Sequence, residues 1–353
     1  MTEAGSRKYK FDKGIAVAGN LIADIVKNIS AYPSPGMLAD ITAVSEGVGG
    51  PVTNTGISLK RIDPGLSVTA LGRVGRDAYG KFVLETLENN GIGTDLISFS
   101  DTLPTSFTDV MSQPGGERTF FHMRGANAEF SPEDVDLNEL ACRTSLLHAG
   151  YIMLLDRFDM EDNEYGTVMA RFLHDAQKAG IKTSIDVVSN DSGSFSRTVI
   201  PALKYCDYVI INEIEACLVW DIPPYIDADS DTAGDTPRLN VEGIRQAMEL
   251  MLDAGVNEKV IVHAKSAGMC LSRWGFTYVP SLQLPPELIK GSVGAGDAFC
   301  AGALYGIYTG MSDRELLRFA SGAAATCLFE ANSTDGVRSE AEIYEIIDKY
   351  ERK

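Results

Sequence analysis

The segment Gly291-Ser292-Val293-Gly294-Ala295-Gly296-Asp297-Ala298-Phe299 runs from a glycine-rich turn directly into an apolar helical pattern. Asp297 is the one formally charged side chain between residues 291 and 312. A carboxylate on such a helix is costly to bury, but the free N–H groups and the dipole of a helix N-terminus favour negative charge. The same N–H groups can hold a phosphate. The segment therefore offers an anion-binding turn beside a base, as phosphoryl transfer to a hydroxyl requires.

Taken alone, this segment has a second interpretation. A glycine turn often serves only to pack a helix close to a strand, and an acid in a first helical turn often only compensates the dipole. The chain contains no Walker-type Gly-x-x-x-x-Gly-Lys-Ser/Thr loop. It also lacks a dinucleotide fingerprint, because Gly19-Asn20-Leu21-Ile22-Ala23-Asp24 has no second or third glycine.

Composition excludes several classes of protein. The 353 residues are 44% hydrophobic and 23% charged, which is typical of a globular protein large enough for about two domains. The 49 acidic and 31 basic residues give a formal charge of −18, which argues against nucleic acid and anionic membranes as partners. The six cysteines include no C-x-x-C pair, so neither a zinc site nor a redox dithiol is predicted. The apolar run from Gly14 to Val26 is broken by Asn20 and Asp24, so we expect no membrane span and a cytoplasmic protein.

Short β-branched runs alternate with helical patterns along the chain. The predicted strands are Ile15 to Ala18, Ser67 to Leu71, Leu146 to Ala149, Thr183 to Asp186, Tyr208 to Ile211 and Val260 to Ala264. The predicted helices are Asn54 to Ile62, Gly80 to Asn90, Glu164 to Ala179, Val241 to Ala254, Ala298 to Tyr308, Asp313 to Phe329 and Glu340 to Tyr350. Several strands are apolar throughout, as in sheets covered on both faces. The pattern predicts an α/β fold over residues 14–340, with a doubly wound, mostly parallel sheet flanked by helices.

Two stretches interrupt this alternation. Asp24 to Gly49 and Thr105 to Arg124 have β patterns without helices, and Gln113-Pro114-Gly115-Gly116-Glu117 is a hairpin signal. We expect residues of about 25–49 and 105–124 to pair into a small β-sheet that forms a lid over a substrate. Residues 221–240 are rich in Asp and Pro and predict an acidic surface loop.

Five short motifs follow one another in a fixed order: Gly49-Gly50-Pro51-Val52-Thr53-Asn54, Gly72-Arg73-Val74-Gly75-Arg76-Asp77-Ala78-Tyr79-Gly80, Arg124-Gly125-Ala126-Asn127, Asn212-Glu213-Ile214-Glu215 and the Gly294-Ala295-Gly296-Asp297 turn. In this order and at these intervals, the sequence resembles the ribokinase family, the PfkB carbohydrate kinases, from about Gly14 to about Arg338. The resemblance implies a ribokinase-like α/β core with a small β lid that is often used for dimerisation. It also implies phosphorylation of a hydroxymethyl-type hydroxyl by ATP with Mg²⁺.

The resemblance assigns roles on the acceptor side. Asp297 matches the catalytic base, and Gly294, Ala295 and Gly296 match the N–H donors to the transferring phosphate. The residues that match or neighbour the sugar-binding motifs are Asp24, Gly49, Gly50, Asn54, Arg124 and Asn127. Three of them have alternative interpretations: a lid-hinge turn for Asp24, a helix N-cap for Asn54, and a lid-bracing salt bridge for Arg124.

On the nucleotide side, Asn212 and Glu215 match an Asn-x-x-Glu motif that is linked to Mg²⁺ through water. The alternative for Glu215 is an ordinary surface acid at a helix start. His263, Lys265 and Gly268 occupy the strand end and the turn beside the expected nucleotide. The family usually has Thr-x-Gly where this chain has His263-Ala264-Lys265, which predicts altered nucleotide contacts. It often has Asp-Thr where this chain has Gly291-Ser292, so the requirement for a monovalent cation stays open.

We therefore expect an ATP-dependent kinase for a small sugar, a sugar-like alcohol or a nucleoside, forming a homodimer through the lid. One alternative is a catalytically impaired sugar- or nucleotide-binding protein on the kinase fold, suggested by the changes at positions 265 and 291. A Rossmann oxidoreductase is disfavoured because the dinucleotide fingerprint is missing.

Overall fold

The computed structural model describes residues 9–115, 117–188, 195–226 and 238–351, and these form one α/β domain with a small accessory sheet. The strands are β1 (Gly14–Ala18), β2 (Ile22–Ile29), β3 (Ile41–Gly49), β4 (Val68–Gly75), β5 (Ile97–Ser100), β6 (Phe107–Ser112), β7 (Arg118–Met123), β8 (Thr144–Ile152), β9 (Glu161–Asp162), β10 (Gly166–Thr167), β11 (Lys182–Val187), β12 (Tyr208–Asn212), β13 (Tyr225–Ile226), β14 (Arg238–Leu239), β15 (Lys259–Ala264), β16 (Ala267–Ser272) and β17 (Gly275–Pro280). The helices are α1 (Pro51–Ile62), α2 (Ala78–Asn89), α3 (Leu137–Arg143), α4 (Val168–Lys178), α5 (Phe195–Leu203), α6 (Glu213–Leu218), α7 (Val241–Asp253), α8 (Ala295–Thr309), α9 (Asp313–Cys327) and α10 (Glu340–Tyr350).

The main sheet has nine strands in the order β17-β16-β15-β12-β11-β8-β1-β4-β5. Its strands pair in parallel from β15 to β5, whereas β15, β16 and β17 form an antiparallel end. The predicted doubly wound, mostly parallel sheet is therefore confirmed. Three strands of this sheet were not predicted from the sequence: β5, β16 and β17. The two-residue turn Lys265-Ser266 joins β15 to β16.

Helices cover both faces of the main sheet and divide the apolar core in two. Successive residues of β1 face opposite sides: Ile15 and Val17 pack with α1, α2, α8, α9 and α10, whereas Ala16 and Ala18 pack with α3 to α7. This burial on both faces explains why the strand is apolar throughout. Helix α8 is buried along nearly its whole length, which explains its almost uncharged sequence.

The accessory sheet has the order β3-β2-β6-β7. Its two antiparallel hairpins, β2–β3 and β6–β7, are joined by parallel pairing of β2 with β6. The two stretches without helical patterns thus form one small sheet, as expected. Of the predicted acidic loop, residues 227–237 lie outside the described residues, and the flanking β13 and β14 pair with each other.

Some helix boundaries differ from the prediction. Helix α1 begins at Pro51 rather than Asn54, because proline suits the first helical position and Gly50, at φ 89°, ends the preceding strand. The short helices α3, α5 and α6 were not predicted; α5 also contains Pro201. Among the described residues, no helix combines the length and apolar character needed to cross a bilayer.

Candidate active site at the carboxyl edge of the main sheet

A cavity of about 250 Å³ lies where parallel strands of the main sheet end beside the N-terminus of α8. In a parallel sheet the carboxyl ends of the strands meet at one edge, so side chains distant in sequence converge there. The polar and glycine residues of the cavity wall are Tyr151, Asp186, Asn212, Glu215, His263, Gly294, Gly296 and Asp297.

Asp297 is the acid at the centre of this wall, and it is only 8% exposed. Its Oδ2 atom accepts a hydrogen bond from Asn54 Nδ2 at 2.9 Å. The Tyr151 hydroxyl donates to Oδ1 at 3.2 Å and lies 3.4 Å from Oδ2. Burial raises the pKa of Asp297 to about 7; the bond from Asn54 opposes this rise, the charge of Asp186 adds to it, and the bond from Tyr151 opposes it. The carboxyl group thus changes charge near neutral pH.

Asn54 joins three distant segments of the chain. It lies inside α1, donates to Asp297, and accepts from the Ser333 hydroxyl through its Oδ1 atom at 2.9 Å. The N-cap interpretation of Asn54 is wrong, because Gly50 is the N-cap residue of α1. The Asn54 amide, held by Ser333, therefore fixes the orientation of the Asp297 carboxylate.

The glycine turn before α8 needs glycine for steric reasons. Gly294 is the N-cap residue of α8 and has a left-handed backbone, with φ 79°. A Cβ atom there would lie only 2.4 Å from the carbonyl oxygen of Ser333. Gly294 and Gly296 line the cavity, and Ala295 between them is the first residue of the helix. The first N–H groups of α8 are accordingly placed at the cavity edge, where they can receive an anion.

Asp24 lies on β2 of the accessory sheet, against the backbone of Gly49. A Cβ atom on Gly49 would approach Asp24 Oδ2 to 2.4 Å, so a larger residue cannot fit there. Burial raises the pKa of Asp24 to about 6, and a hydrogen bond from the Thr108 side chain opposes that rise. The position of Asp24 within the paired strand β2 does not match a hinge turn.

Arg124 and Asn127 each contact other protein groups. Arg124 forms an ion pair with Asp156 at the surface, which agrees with the bracing interpretation. Asn127 is buried and bonds the backbone of Leu21 through both ends of its amide, each at 3.1 Å. Asn127 therefore fixes the connection between β1 and β2, the strand that carries Asp24.

Asn212 and Glu215 form a reciprocal capping box at the start of α6. The Asn212 backbone N–H donates to Glu215 Oε2 at 3.0 Å, and the Glu215 N–H donates to Asn212 Oδ1 at 2.8 Å. Glu215 is only 7% exposed and lines the cavity, so it is not an ordinary surface acid.

His263, Lys265 and Gly268 occupy different environments. His263 lines the cavity with its ring 4.9 Å from that of Phe299, and burial lowers its pKa to about 4, so it is neutral. Lys265 is exposed at the turn between β15 and β16. Gly268 is buried, and its α-carbon faces Phe299 and Leu317. Of these three, the cavity wall in the described part of the chain includes only His263.

A buried polar cluster lies beneath the cavity. Burial keeps the pKa of the Cys300 thiol well above its usual value, so the thiol can donate to His148 Nε2 at 3.4 Å. His148 Nδ1 lies 3.1 Å from the Ser184 hydroxyl, and Nε2 lies 3.5 Å from Asp186 Oδ2. The His148 ring is thus buried among Ser184, Cys300 and Asp186, and the thiol and the hydroxyl give its two nitrogens partners.

Comparison with known proteins identifies the family of this chain. Residues 12–340 match the pfkB family carbohydrate kinase. The chain belongs to this family. It is 28% identical to the ribokinase of Arabidopsis thaliana over 319 residues, which cover 89% of this chain and 76% of that protein. The family predicted from the ordered motifs is therefore confirmed.

Two solved structures share the fold of this PfkB kinase. The structure of Arabidopsis thaliana ribokinase complexed with ribose and ATP has a TM-score of 0.77 at 22% identity, over 96% of this chain and 99% of that chain. A putative ribokinase II from E. coli in complex with ATP and Mg²⁺ has a TM-score of 0.74 at 17% identity, over 96% of this chain and 100% of that chain.

The sequence analysis missed Tyr151 and Ser333 at this PfkB site. Tyr151 carried a usable signal, because it follows Gly150 at the carboxyl end of a predicted parallel strand. Ser333 carried none, since its contact with Asn54 spans 279 positions of the chain.

Proposed function

We propose that this protein is an ATP-dependent phosphotransferase that phosphorylates a hydroxyl group of a small sugar or sugar-like alcohol. Asp297 acts as the base that accepts the hydroxyl proton. The observation that carries this proposal is the buried Asp297 carboxyl group at the start of α8, held by Asn54 at 2.9 Å on the wall of an open cavity.

The chemistry follows from the surroundings of Asp297. With a pKa of about 7, the group is largely ionised under mildly alkaline conditions and can take a proton from an alcohol. The N–H groups of the Gly294-Ala295-Gly296 turn would stabilise the charge that develops on the transferring phosphoryl group. A base and an anion cradle on one helical turn bring the attacking oxygen and the phosphorus together.

The acceptor site lies between Asp297 and the accessory sheet in this proposal. Asp24 and Asn54 would bond hydroxyl groups of the acceptor, and the small residues Gly49 and Gly50 let the backbone approach it. Asn127 would support this site through Leu21, and Arg124 would fix the edge of the lid through Asp156. The ribose bound to the related Arabidopsis kinase supports a sugar as the acceptor.

The nucleotide would occupy the side of the cavity formed by Asn212, His263, Gly294 and Gly296. Buried Glu215 provides a carboxylate suited to binding Mg²⁺ through water, and the ion would neutralise phosphate charge. The ATP and Mg²⁺ bound to the E. coli relative support this assignment. Lys265, exposed at its turn, would reach the nucleotide only from the rim, and Gly268 would act through the packing of Phe299.

The accessory sheet would act as a lid and as the contact with a second copy of the chain. Its outer strands expose the apolar side chains of Ile41, Val44, Phe120, Phe121 and Met123. Contiguous exposed apolar side chains mark interaction surfaces. Pairing of two such sheets would cover them.

The test is ADP release from ATP and Mg²⁺ with a panel of sugars, sugar acids and nucleosides. We expect turnover with at least one acceptor and a loss of about 10² to 10⁴ in Asp297→Asn, the usual range for a general base. Asp253→Asn, at an exposed acid on α7, is the matched control and should keep full activity. Binding of sugar or ATP without turnover would favour a non-catalytic binding protein. Turnover of Asp297→Asn within a few-fold of the parent would eliminate Asp297 as the base.

A further inference from the structure

Tyr151 has a backbone conformation that tyrosine rarely adopts. Its φ of 61° lies in the left-handed region, which is strained for a residue other than glycine. The cause is an irregularity in the pairing of β8 with β11. Ala149 pairs with Ile185 and Ile152 pairs with Val187, so Gly150 and Tyr151 together face the single residue Asp186. This is a β-bulge, a device that redirects a side chain and often lies beside an active site.

The bulge gives Tyr151 a contact with two acids. Its backbone N–H donates to Asp186 Oδ1, and its side-chain hydroxyl donates to Asp297 Oδ1 at 3.2 Å. Burial keeps the pKa of the Tyr151 hydroxyl well above its usual value, so the group keeps its proton and remains a donor. Asn54 serves mainly Oδ2 of Asp297, and Tyr151 mainly Oδ1. Each carboxylate oxygen therefore has its own donor.

We propose that Tyr151 is a positioning residue for Asp297, whose hydroxyl fixes the orientation of the carboxylate and stabilises its ionised form. The functional consequence rests on the proposed role of Asp297 as base. The contact itself does not depend on that role. The N–H of Tyr151 finds its acceptor in Asp186, which stabilises the strained bulge.

The direction of the effect follows from the groups that face Asp297. Those that titrate are Tyr151, Asp186, Glu215, His263, Cys300 and Cys327. Burial and Asp186 raise the pKa of Asp297, whereas the donors Asn54 and Tyr151 lower it. Removing one donor should therefore make the carboxyl group harder to ionise. A typical hydrogen bond contributes enough to change this equilibrium by a factor of about 2 to 10.

The experiment compares the parent protein with Tyr151→Phe, which removes only the hydroxyl. The ionisation of Asp297 is followed by ¹³C NMR of protein labelled at aspartate carboxyl carbons, with Asp297→Asn to assign the signal. In Tyr151→Phe we expect the midpoint of Asp297 ionisation to move to higher pH. The shift should correspond to a change of about 2- to 10-fold in the ionisation equilibrium. In kinetics, the acidic limb of kcat/KM should move by the same amount. Tyr344→Phe, which removes a hydroxyl that donates to Glu315 at 3.2 Å elsewhere, should leave both unchanged.

An unchanged midpoint in Tyr151→Phe would overturn the proposal. A shifted midpoint in a protein without kinase turnover would uphold the positioning role and reject only the kinase proposal. If Tyr151→Phe does not fold, the parent protein can be labelled with 3-fluorotyrosine, whose hydroxyl is a stronger donor. The Asp297 midpoint should then move to lower pH, and no movement would again refute the proposal.

Discussion

Replacing Asp297 with asparagine should make the folded protein more stable at alkaline pH, in addition to reducing turnover. The carboxyl group is 8% exposed and has a folded-state pKa of about 7, against 3.8 for an unperturbed aspartate. Because the folded value is raised, ionisation favours the unfolded chain. The stability of the parent is therefore greatest below the unfolded value and declines as pH rises from about 4 to about 7. Asparagine carries no charge and escapes this penalty.

The magnitude follows from the difference of about three pKa units. At 1.36 kcal/mol per unit, the full penalty is about 4 kcal/mol above pH 7. Between pH 5 and pH 8, the advantage of the variant should increase by about 2.5 kcal/mol and then level off. The variant should keep the local structure, because the carboxamide oxygen can still accept from Asn54.

The assay is urea denaturation followed by circular dichroism at several pH values from 4.5 to 8.5, in parallel for parent and variant. Asp253→Asn is the control, since this exposed acid on α7 is not part of the cavity wall. A difference between parent and Asp297→Asn that stays constant across this range would refute the reasoning. Asp297 would then be ionised in the folded protein without an energetic cost.

Three further predictions concern the turn, the lid and the dimer. Gly294→Ala should lower the free energy of unfolding by about 1–3 kcal/mol, because φ is 79° and the new Cβ would meet Ser333. Gly296→Ala should lower it less, because there the new Cβ would lie 3.3 Å from the His263 ring. Urea denaturation measures both losses. A bound acceptor should slow hydrogen exchange in residues 105–124, measured by mass spectrometry, and unchanged exchange would contradict lid closure. Sedimentation should show a dimer for the parent and a monomer for Phe121→Asp, because Phe121 is 53% exposed on the accessory sheet. A parent protein that sediments as a monomer would reject the dimer.

Much of the fold is readable from local sequence patterns. Six of the seven strands in the parallel part of the main sheet were predicted, because strands buried on both faces are apolar or β-branched throughout. The four-residue strand β5 was missed. Strand β16 was missed because Ala267–Ser272 begins with Ala267 and Gly268, which are depleted in strands, and contains no β-branched or aromatic residue. Helix α6 was missed because a six-residue helix gives too short a period to recognise.

The candidate site is readable only in part. The glycine turn and Asp297 form one local pattern, and the structure brings them to a cavity with Asn212 and Glu215, with Asn54 bonded to Asp297. Tyr151 reaches Asp297 only because of a bulge between β8 and β11, and no propensity predicts a bulge from one strand alone.

The bond from Ser333 to Asn54 also bears on protein synthesis. Asn54 belongs to the first helix, and Ser333 precedes the last one, 279 positions later. During synthesis, the Asn54 side chain therefore lacks this partner until Ser333 has emerged from the ribosome. Any product of premature termination that ends before Ser333 lacks this support for Asn54.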